Sequence, residues 1–366
     1  DDSGKGLFKY APPSGFLALC EDNLPAPAIA DPGKHFKTAL YTGSGSARNV
    51  TGVGFKPDFV WMKGRTGSSY NHILNDSVRG PRKTLFTNNT LQEYTDRGVT
   101  SFDNDGFSLI GGSGSDENAT NVPYVAWCWK AGGAAVSNTD GSITSQVSAN
   151  QTAGFSIVSY TGTGANATVG HGLNKTPKFI ITKQRTTAGH HWRTYHSSIG
   201  ATRSVYLNLT NAQSGVDAGF MNSTEPTTSV FSIGTDTNLN ENTQAHIAYC
   251  FAEVEGFSKF GSYVGNNSAD GPFVYCGFKP AWVMIKRTDS LNQWQIQDSS
   301  RNSINPTNVA LYSESSAQEE TATSTSKDFL SNGFKIRGVD TMVNASGGTY
   351  IFMAFAESPF QTANAK

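Results

Sequence analysis

The chain is poor in charge, poor in cysteine and free of long apolar runs. Asp, Glu, Lys and Arg make up 16% of its 366 residues, against roughly 25% in an average globular protein. Acidic and basic residues nearly cancel, leaving a formal net charge of −1. Charge this dilute and balanced lacks the basic footprint that nucleic-acid binding requires. No run of one sign offers a tail for membranes or polyanions. No stretch reaches the eighteen or so continuous apolar residues of a membrane helix, and no basic segment followed by an apolar signal core opens the chain. Four cysteines do not make a disulfide framework. A helical period of 3.6 residues never persists beyond two turns.

What is there in quantity is aromatic residues, 11%, and glycine, 38 residues, a profile of strands and turns. It is also repetitive. Phe155-Ser-Ile-Val-Ser-Tyr160-Thr-Gly-Thr-Gly164 recurs as Phe36-Lys-Thr-Ala-Leu-Tyr41-Thr-Gly-Ser-Gly45 and as Phe257-Ser-Lys-Phe-Gly-Ser-Tyr263-Val-Gly-Asn266. Downstream, Gly54-Phe-Lys-Pro-Asp-Phe-Val-Trp-Met-Lys63 answers to Gly172–Lys183 and to Gly277-Phe-Lys-Pro-Ala-Trp-Val-Met-Ile-Lys286. Each copy closes on an aromatic strand: Tyr124-Val-Ala-Trp-Cys-Trp129, His246-Ile-Ala-Tyr-Cys-Phe251 and Tyr350-Ile-Phe-Met-Ala-Phe355. Repetition sets the unit that must bury a core. Here the unit is about a hundred residues, a size able to fold alone.

The reading is all-β: three tandem antiparallel β-sandwich repeats of jelly-roll or lectin-like type, with a barrel as the structural alternative. Residues 1–35 hold Pro12, Pro13, Pro25, Pro27 and Pro32 and form an extended N-terminal segment. Repeat 1 spans 36–133, a polar flexible linker 134–153, repeat 2 154–255 and repeat 3 256–366. Repeats 2 and 3 follow each other without a linker and are expected to dock rigidly, with repeat 1 freer. Asn104-Asp-Gly106 and Ser331-Asn-Gly333 mark hairpins. Cys128 and Cys250 occupy the same place in two closing strands, where repeat 3 has Ala354, so buried free thiols are expected.

No chemical motif completes itself. His171, His190, His191 and His196 match no metal-ligand spacing, and surface or turn positions are expected for them. Asp103-Asn-Asp-Gly106 and Asp236-Thr-Asn-Leu-Asn240 suggest calcium but do not form an EF-hand loop; Asx turns are the expected role. Glu319-Glu320, Asp116-Glu117 and Glu253/Glu255 lack the context of a glycosidase pair. No Gly-x-Ser-x-Gly elbow is present, and the glycines of Gly43-Ser-Gly45 and Gly111-Gly-Ser-Gly114 read as turns. Asp76-Ser-Val-Arg79 and Asp298-Ser-Ser-Arg301 match in place and suggest a structural bridge, with His196-Ser-Ser-Ile199 as the counterpart in repeat 2. The loops before the closing strands, Gly111–Pro123, Gly234–Ala245 and Gly338–Thr349, are polar and differ between copies, as binding loops do, and as solvated slack would equally. Catalytic residues, metal sites and cofactors are therefore none. Tyr70, Trp192 and Trp294 are the candidate ligand-binding residues, as exposed sugar-stacking platforms, with shared packing as the competing account.

Tyr160-Thr-Gly-Thr-Gly164, Gly54-Phe-Lys-Pro-Asp58, Asp76-Ser-Val-Arg-Gly80, Asp105-Gly-Phe107, Trp127-Cys-Trp-Lys130 and Phe355-Ala-Glu-Ser-Pro-Phe360 together resemble repeated C-terminal domains of tailed-bacteriophage virion proteins of tail-fibre-like or structural type. Phe8-Lys-Tyr-Ala-Pro-Pro-Ser-Gly-Phe16 is similar to the end of a SPRY or concanavalin-like lectin domain, which would make Asp1 the start of a fragment. The resemblance implies a virion-surface location, other virion proteins as partners and attachment to host surface polysaccharide. It implies no catalytic residues. A homotrimer would suit a fibre, although three repeats in one chain could replace it. The alternatives are a tail-associated polysaccharide depolymerase and an architectural spacer.

Overall fold

The computed structural model describes residues 13–14, 26–67, 70–112 and 115–362. It is all-β and antiparallel, with three one-turn α-helices among the described residues. One sandwich topology recurs three times. In unit 1 the main sheet runs Phe36–Thr42, Pro123–Trp129, Phe59–Gly64, Ile73–Asp76, Lys83–Phe86 and Tyr94–Thr95, and a small sheet runs Arg48–Thr51, Gly106–Leu109 and Val99–Asp103. Unit 3 repeats this order, from Ser258–Val264 through Thr349–Pro359 and Phe278–Arg287 to Glu320–Thr321, with Phe273–Tyr275, Gly333–Ile336 and Lys327–Leu330 as its small sheet. Unit 2 has Phe155–Thr161, Ala245–Ala252, Pro177–Gln184, Arg193–His196 and Val205–Tyr206, faced by Ala167–Gly170 and Val230–Ile233. The Asn-Asp and Ser-Asn turns sit where expected, joining Val99–Asp103 to Gly106–Leu109 and Lys327–Leu330 to Gly333–Ile336.

The Tyr-x-Gly signature is a latch. Tyr41, Tyr160 and Tyr263 donate their hydroxyls to the carbonyls of Glu117, Leu239 and Val343 at 2.7, 2.7 and 2.8 Å. The next residue in each of those loops is a fully buried asparagine, Asn118, Asn240 or Asn344. Its Oδ1 accepts the N–H of Ser44, Thr163 or Asn266, three residues past the tyrosine, and its Nδ2 donates to two carbonyls. Between them, Gly43, Gly162 and Gly265 pass so close to the loop that a Cβ would stand 2.1–2.3 Å from a carbonyl oxygen. Only glycine fits there. The loops before the closing strands differ in sequence but share this anchor.

Both faces of each closing strand are buried. Tyr124, Ala126 and Cys128 point to the small sheet of unit 1, in one apolar cluster, while Val125, Trp127 and Trp129 point the other way into a cluster drawn from all three units. Trp129, Phe251 and Phe355 occupy equivalent places and meet in a triangle, with ring centroids 6.4, 6.0 and 5.5 Å apart. Around it the contacts run cyclically. Phe59 of unit 1 packs on Phe155 and Tyr249 of unit 2, Phe179 of unit 2 on Phe260 and Trp294 of unit 3, and Trp282 of unit 3 on Phe36 and Trp127 of unit 1. The three sandwiches thus surround a pseudo-threefold axis.

This corrects two expectations. Unit 1 is not freer than the others, because Trp129 touches both Phe251 and Phe355 and the core has no seam that could open without exposing them. Nor is 134–153 a flexible linker: Val136–Asn138 and Ser145–Asn150 form a hairpin that extends the main sheet of unit 2, Ser145–Asn150 pairing with Phe155–Thr161. Alternation hidden among polar residues does this, since Ser145, Val147 and Ser148 are buried. The N-terminal segment is described only in part. Ile29 is buried in the shared core and Pro32–Lys34 make a 3₁₀ turn, whereas Phe8–Phe16, apart from Pro13 and Ser14, and Cys20 lie outside the described residues.

A shared core couples the units. The whole chain is expected to unfold in one cooperative transition by calorimetry, and Phe251→Ala to cost about 3–5 kcal/mol. Residues 36–133 expressed alone are expected to expose Phe36, Phe59, Trp127 and Trp129 and to bind a hydrophobic dye. Three separate transitions would contradict the shared core.

Candidate functional site

The residues best equipped for chemistry lie where one unit meets the next. In unit 1 the Arg79 guanidinium is wholly buried and fully engaged. Its Nε donates to Asp76 at 2.5 Å, one amine to Glu93 at 3.1 Å and the other to the Leu74 carbonyl at 3.0 Å. Arg301 in unit 3 repeats the pattern with Asp298, Glu319 and the Ile296 carbonyl. Each trio then reaches the neighbouring unit. Glu93 receives a bidentate grip from Arg185 of unit 2, and Glu319 the same from Arg65 of unit 1. Asp76 accepts the Tyr249 hydroxyl at 2.7 Å, and Asp298 accepts the Trp127 indole at 3.1 Å. The Asp–Arg pairs are the structural bridges expected of them, and they also join units.

At the junction of units 2 and 3 the same positions are neutral. His196, Ile199 and Gln213 replace the Asp, Arg and Glu, and Thr288 stands where units 1 and 2 have Arg65 and Arg185. The closing-strand residue there is Met353, which has nothing to donate, and the direction of the bond reverses: His196 Nε2 donates to the Phe352 carbonyl at 3.2 Å while its Nδ1 accepts the N–H of Ser198 at 3.0 Å. That arrangement requires the neutral imidazole, and burial pushes its pKa down to about 4. Three buried lysines at equivalent places, Lys63, Lys183 and Lys286, line the same junctions. Burial lowers each to about 8, and each ammonium is satisfied by carbonyls, those of Ser316 and Thr210 coming from the adjacent unit.

Trp192 and Trp294 are not platforms. They are 0% and 1% exposed, and their indoles donate across junctions to the carbonyls of Phe86 and Tyr206 at 2.8 and 2.9 Å. Shared packing decides their place, with His72 as the counterpart in unit 1. Tyr70 is half-buried, flat against Gly64 and Gly67, and stands apart from both. The histidines do not gather, and no cluster of metal-ligating groups occurs among the described residues. His171 and His196 are fully buried, not on the surface as expected, because each satisfies a backbone carbonyl. Asp236 caps the turn Thr237–Asn240, and Asp105 accepts the N–H groups of Gly52 and Gly54, so both acidic stretches are turn-makers. Cys128, Cys250 and Cys276 are buried free thiols.

Two open features border charged or aromatic groups of note. A groove of about 520 Å³ runs between unit 1 and the hairpin of unit 2, lined by His35, Lys56, Asp58, Lys130 and Asn150. Both Asp58 oxygens in it are already bonded, to Ser77 and to the N–H of Ala131. The second is a pocket of about 320 Å³ in unit 3, where Tyr275 stands beside Glu253, Glu255 and Lys259.

Residues 31–359 match a domain of unknown function, DUF7483, over nearly the full length. The chain belongs to the DUF7483 family. No curated protein and no solved structure matches it. The DUF7483 match runs through all three units, consistent with a domain that is the whole ring and not the single sandwich. Sequence reasoning missed Arg65, Glu93, Arg185, Trp127 and Tyr249 as junction residues. The signal was present, since Asp accompanies Tyr249 or Trp127 where His accompanies Met353, but it is visible only when each unit is read against its neighbour.

Removing one member of a buried ion network leaves its partner uncompensated. Asp298→Ala is therefore expected to lower unfolding free energy in urea by about 3–5 kcal/mol, against a small effect for the exposed pair residue Asp96. A buried histidine with a depressed pKa binds its proton more readily when unfolded. Its contribution is complete above pH 6.5 and is lost as pH falls towards 4, up to about 3 kcal/mol. His196→Gln is expected to flatten that part of the stability profile relative to the parent; an unchanged slope would show that His196 does not titrate on unfolding.

Proposed function

We propose that this DUF7483 chain is a non-enzymatic structural protein of a bacteriophage particle, displayed on the virion surface as a fibre, spike or decoration element and contributing to attachment to host glycans. The observation that carries the reading is that the chain spends its reactive groups on holding itself together. Buried carboxylates, guanidinium groups, lysines and histidines are engaged at the junctions between units. Polysaccharide cleavage uses two carboxylates facing each other across a cleft, whereas Glu319 is tied to Arg65 and Arg301 and Asp116 to Arg97 and the N–H of Asn71. The shape supports the same reading. One chain builds the threefold arrangement that a fibre would otherwise draw from three chains, and a core without a seam suits a particle outside the cell. Other virion proteins are the expected neighbours, and repeated copies on a particle would turn weak glycan contacts into firm attachment.

The test is incubation of the purified chain with bacterial capsular and O-antigen polysaccharides. Saturable binding with polymer length unchanged is expected. New reducing ends would replace the reading with a depolymerase, and neither binding nor cleavage would reduce the chain to an architectural spacer.

A further inference from the structure

We propose that the outer face of the small sheet in unit 3 is a saccharide-binding platform built on Phe273 and Tyr275. This rests on the attachment reading and names its site. The pseudo-threefold arrangement supplies an internal control. In each unit the edge strand of the small sheet is anchored by a buried valine opposite a phenylalanine: Val50 with Phe107, Val169 with Phe231, Val274 with Phe334. The residues flanking that valine lie on the outer face of the small sheet. They are Asn49 and Thr51 in unit 1, Thr168 and Gly170 in unit 2, and Phe273 and Tyr275 in unit 3. The fold is thus made twice with small or polar residues at these positions, and the two rings of unit 3, 45% and 60% exposed, serve no packing need.

Unit 3 also leaves the place open. In unit 2 the hairpin Val136–Asn150 lies over the corresponding edge. Ile143 bridges to Val169, Ser142 bonds to Thr168, and Asn138 sits so close to Gly170 that a Cβ there would meet its Oδ1. No such hairpin covers unit 3 among the described residues. Phe273 and Tyr275 are spaced about 7 Å along the strand on one face. The Tyr275 ring lies beside Gly277 and borders the pocket of about 320 Å³.

The surroundings favour a sugar over a protein. Two rings offer at most about 150–250 Å² each, against about 800 Å² per partner in a stable protein interface. The groups beside them are donors and acceptors: Lys335 opposite Phe273 and paired with Asp270 at 2.5 Å, Arg337 with Asp328 at 2.5 Å, and, across the pocket from Tyr275, Lys259 with Glu253 at 2.7 Å. An aromatic face that covers the C–H side of a pyranose, rimmed by charges that bond its hydroxyls, has the amphipathic character a sugar requires.

The experiment is binding of the full chain to an array of bacterial surface oligosaccharides, beside a Phe273→Asn/Tyr275→Thr variant that installs the residues of unit 1, and an Ile304→Ser control at an exposed apolar residue elsewhere. The parent is expected to bind and the control to match it. The double variant is expected to bind at least tenfold more weakly, with its melting temperature within a few degrees of the parent. Unchanged binding by the double variant overturns the platform and leaves attachment standing elsewhere on the chain. A parent that binds no oligosaccharide overturns both. Self-association of the parent that disappears in the double variant assigns the rings to a contact between copies and likewise overturns the proposal.

Discussion

The structure depends on three closing strands being buried on both sides. A sheet in an ordinary sandwich hides one face and wets the other, and would need one aromatic set per strand. Here each closing strand carries two. Tyr124, Ala126 and Cys128 serve a private core, while Trp127 and Trp129 serve a common one. The second set has nowhere to go except against the other two units, so the triangle of Trp129, Phe251 and Phe355 is as much a requirement of the sequence as any core within a unit. The low charge content follows from the same fact. With the main sheet a middle layer, its polar residues, among them Lys63, Asp76, His196 and Asp298, are buried and must find partners at the junctions.

Hydrophobic burial does not by itself fix which unit sits beside which, and the polar junctions supply that discrimination. A buried Asp–Arg–Glu trio accepts two donor residues from its neighbour, an arginine and a tyrosine or tryptophan, and the wrong neighbour would strand a charge in the interior. The neutral junction of units 2 and 3 is the exception, with His196, Ile199 and Gln213 in place of the trio. The chain itself joins those two units through the short turn from Val254 to Phe257, so covalent proximity already specifies the pairing. The three lysines, held on carbonyls and uncharged more readily than usual, add shape to the junctions at some electrostatic cost.

The same symmetry separates what the scaffold needs from what it merely carries. The Tyr-x-Gly latch, the buried asparagine and the Val–Phe pair of the small sheet recur in every unit and are architecture. The hairpin of unit 2 and the exposed rings of unit 3 occur once each. Departures of this kind, on positions the other units fill with small polar residues, are where a repeated fold has room for function.

The repeats, the strands, the two-residue hairpin turns and the free thiols were legible in the sequence because each depends on local pattern: a period of two, a turn dipeptide, a recurring motif. The burial of Trp192 and Trp294 was not, since an aromatic near a polar loop looks the same in sequence whether its ring meets water or a neighbouring unit. Nor was the hairpin within 134–153, whose Ser, Thr and Asn composition resembles a linker until Phe155–Thr161 provides an edge to pair with. The sequence by itself determined the unit, its topology and its private cores. Only the tertiary structure decided that three units close on one axis, turning Asp76, Asp298 and His196 into junctions and leaving Phe273 and Tyr275 in solvent, because those outcomes depend on which surfaces meet and no local pattern records that.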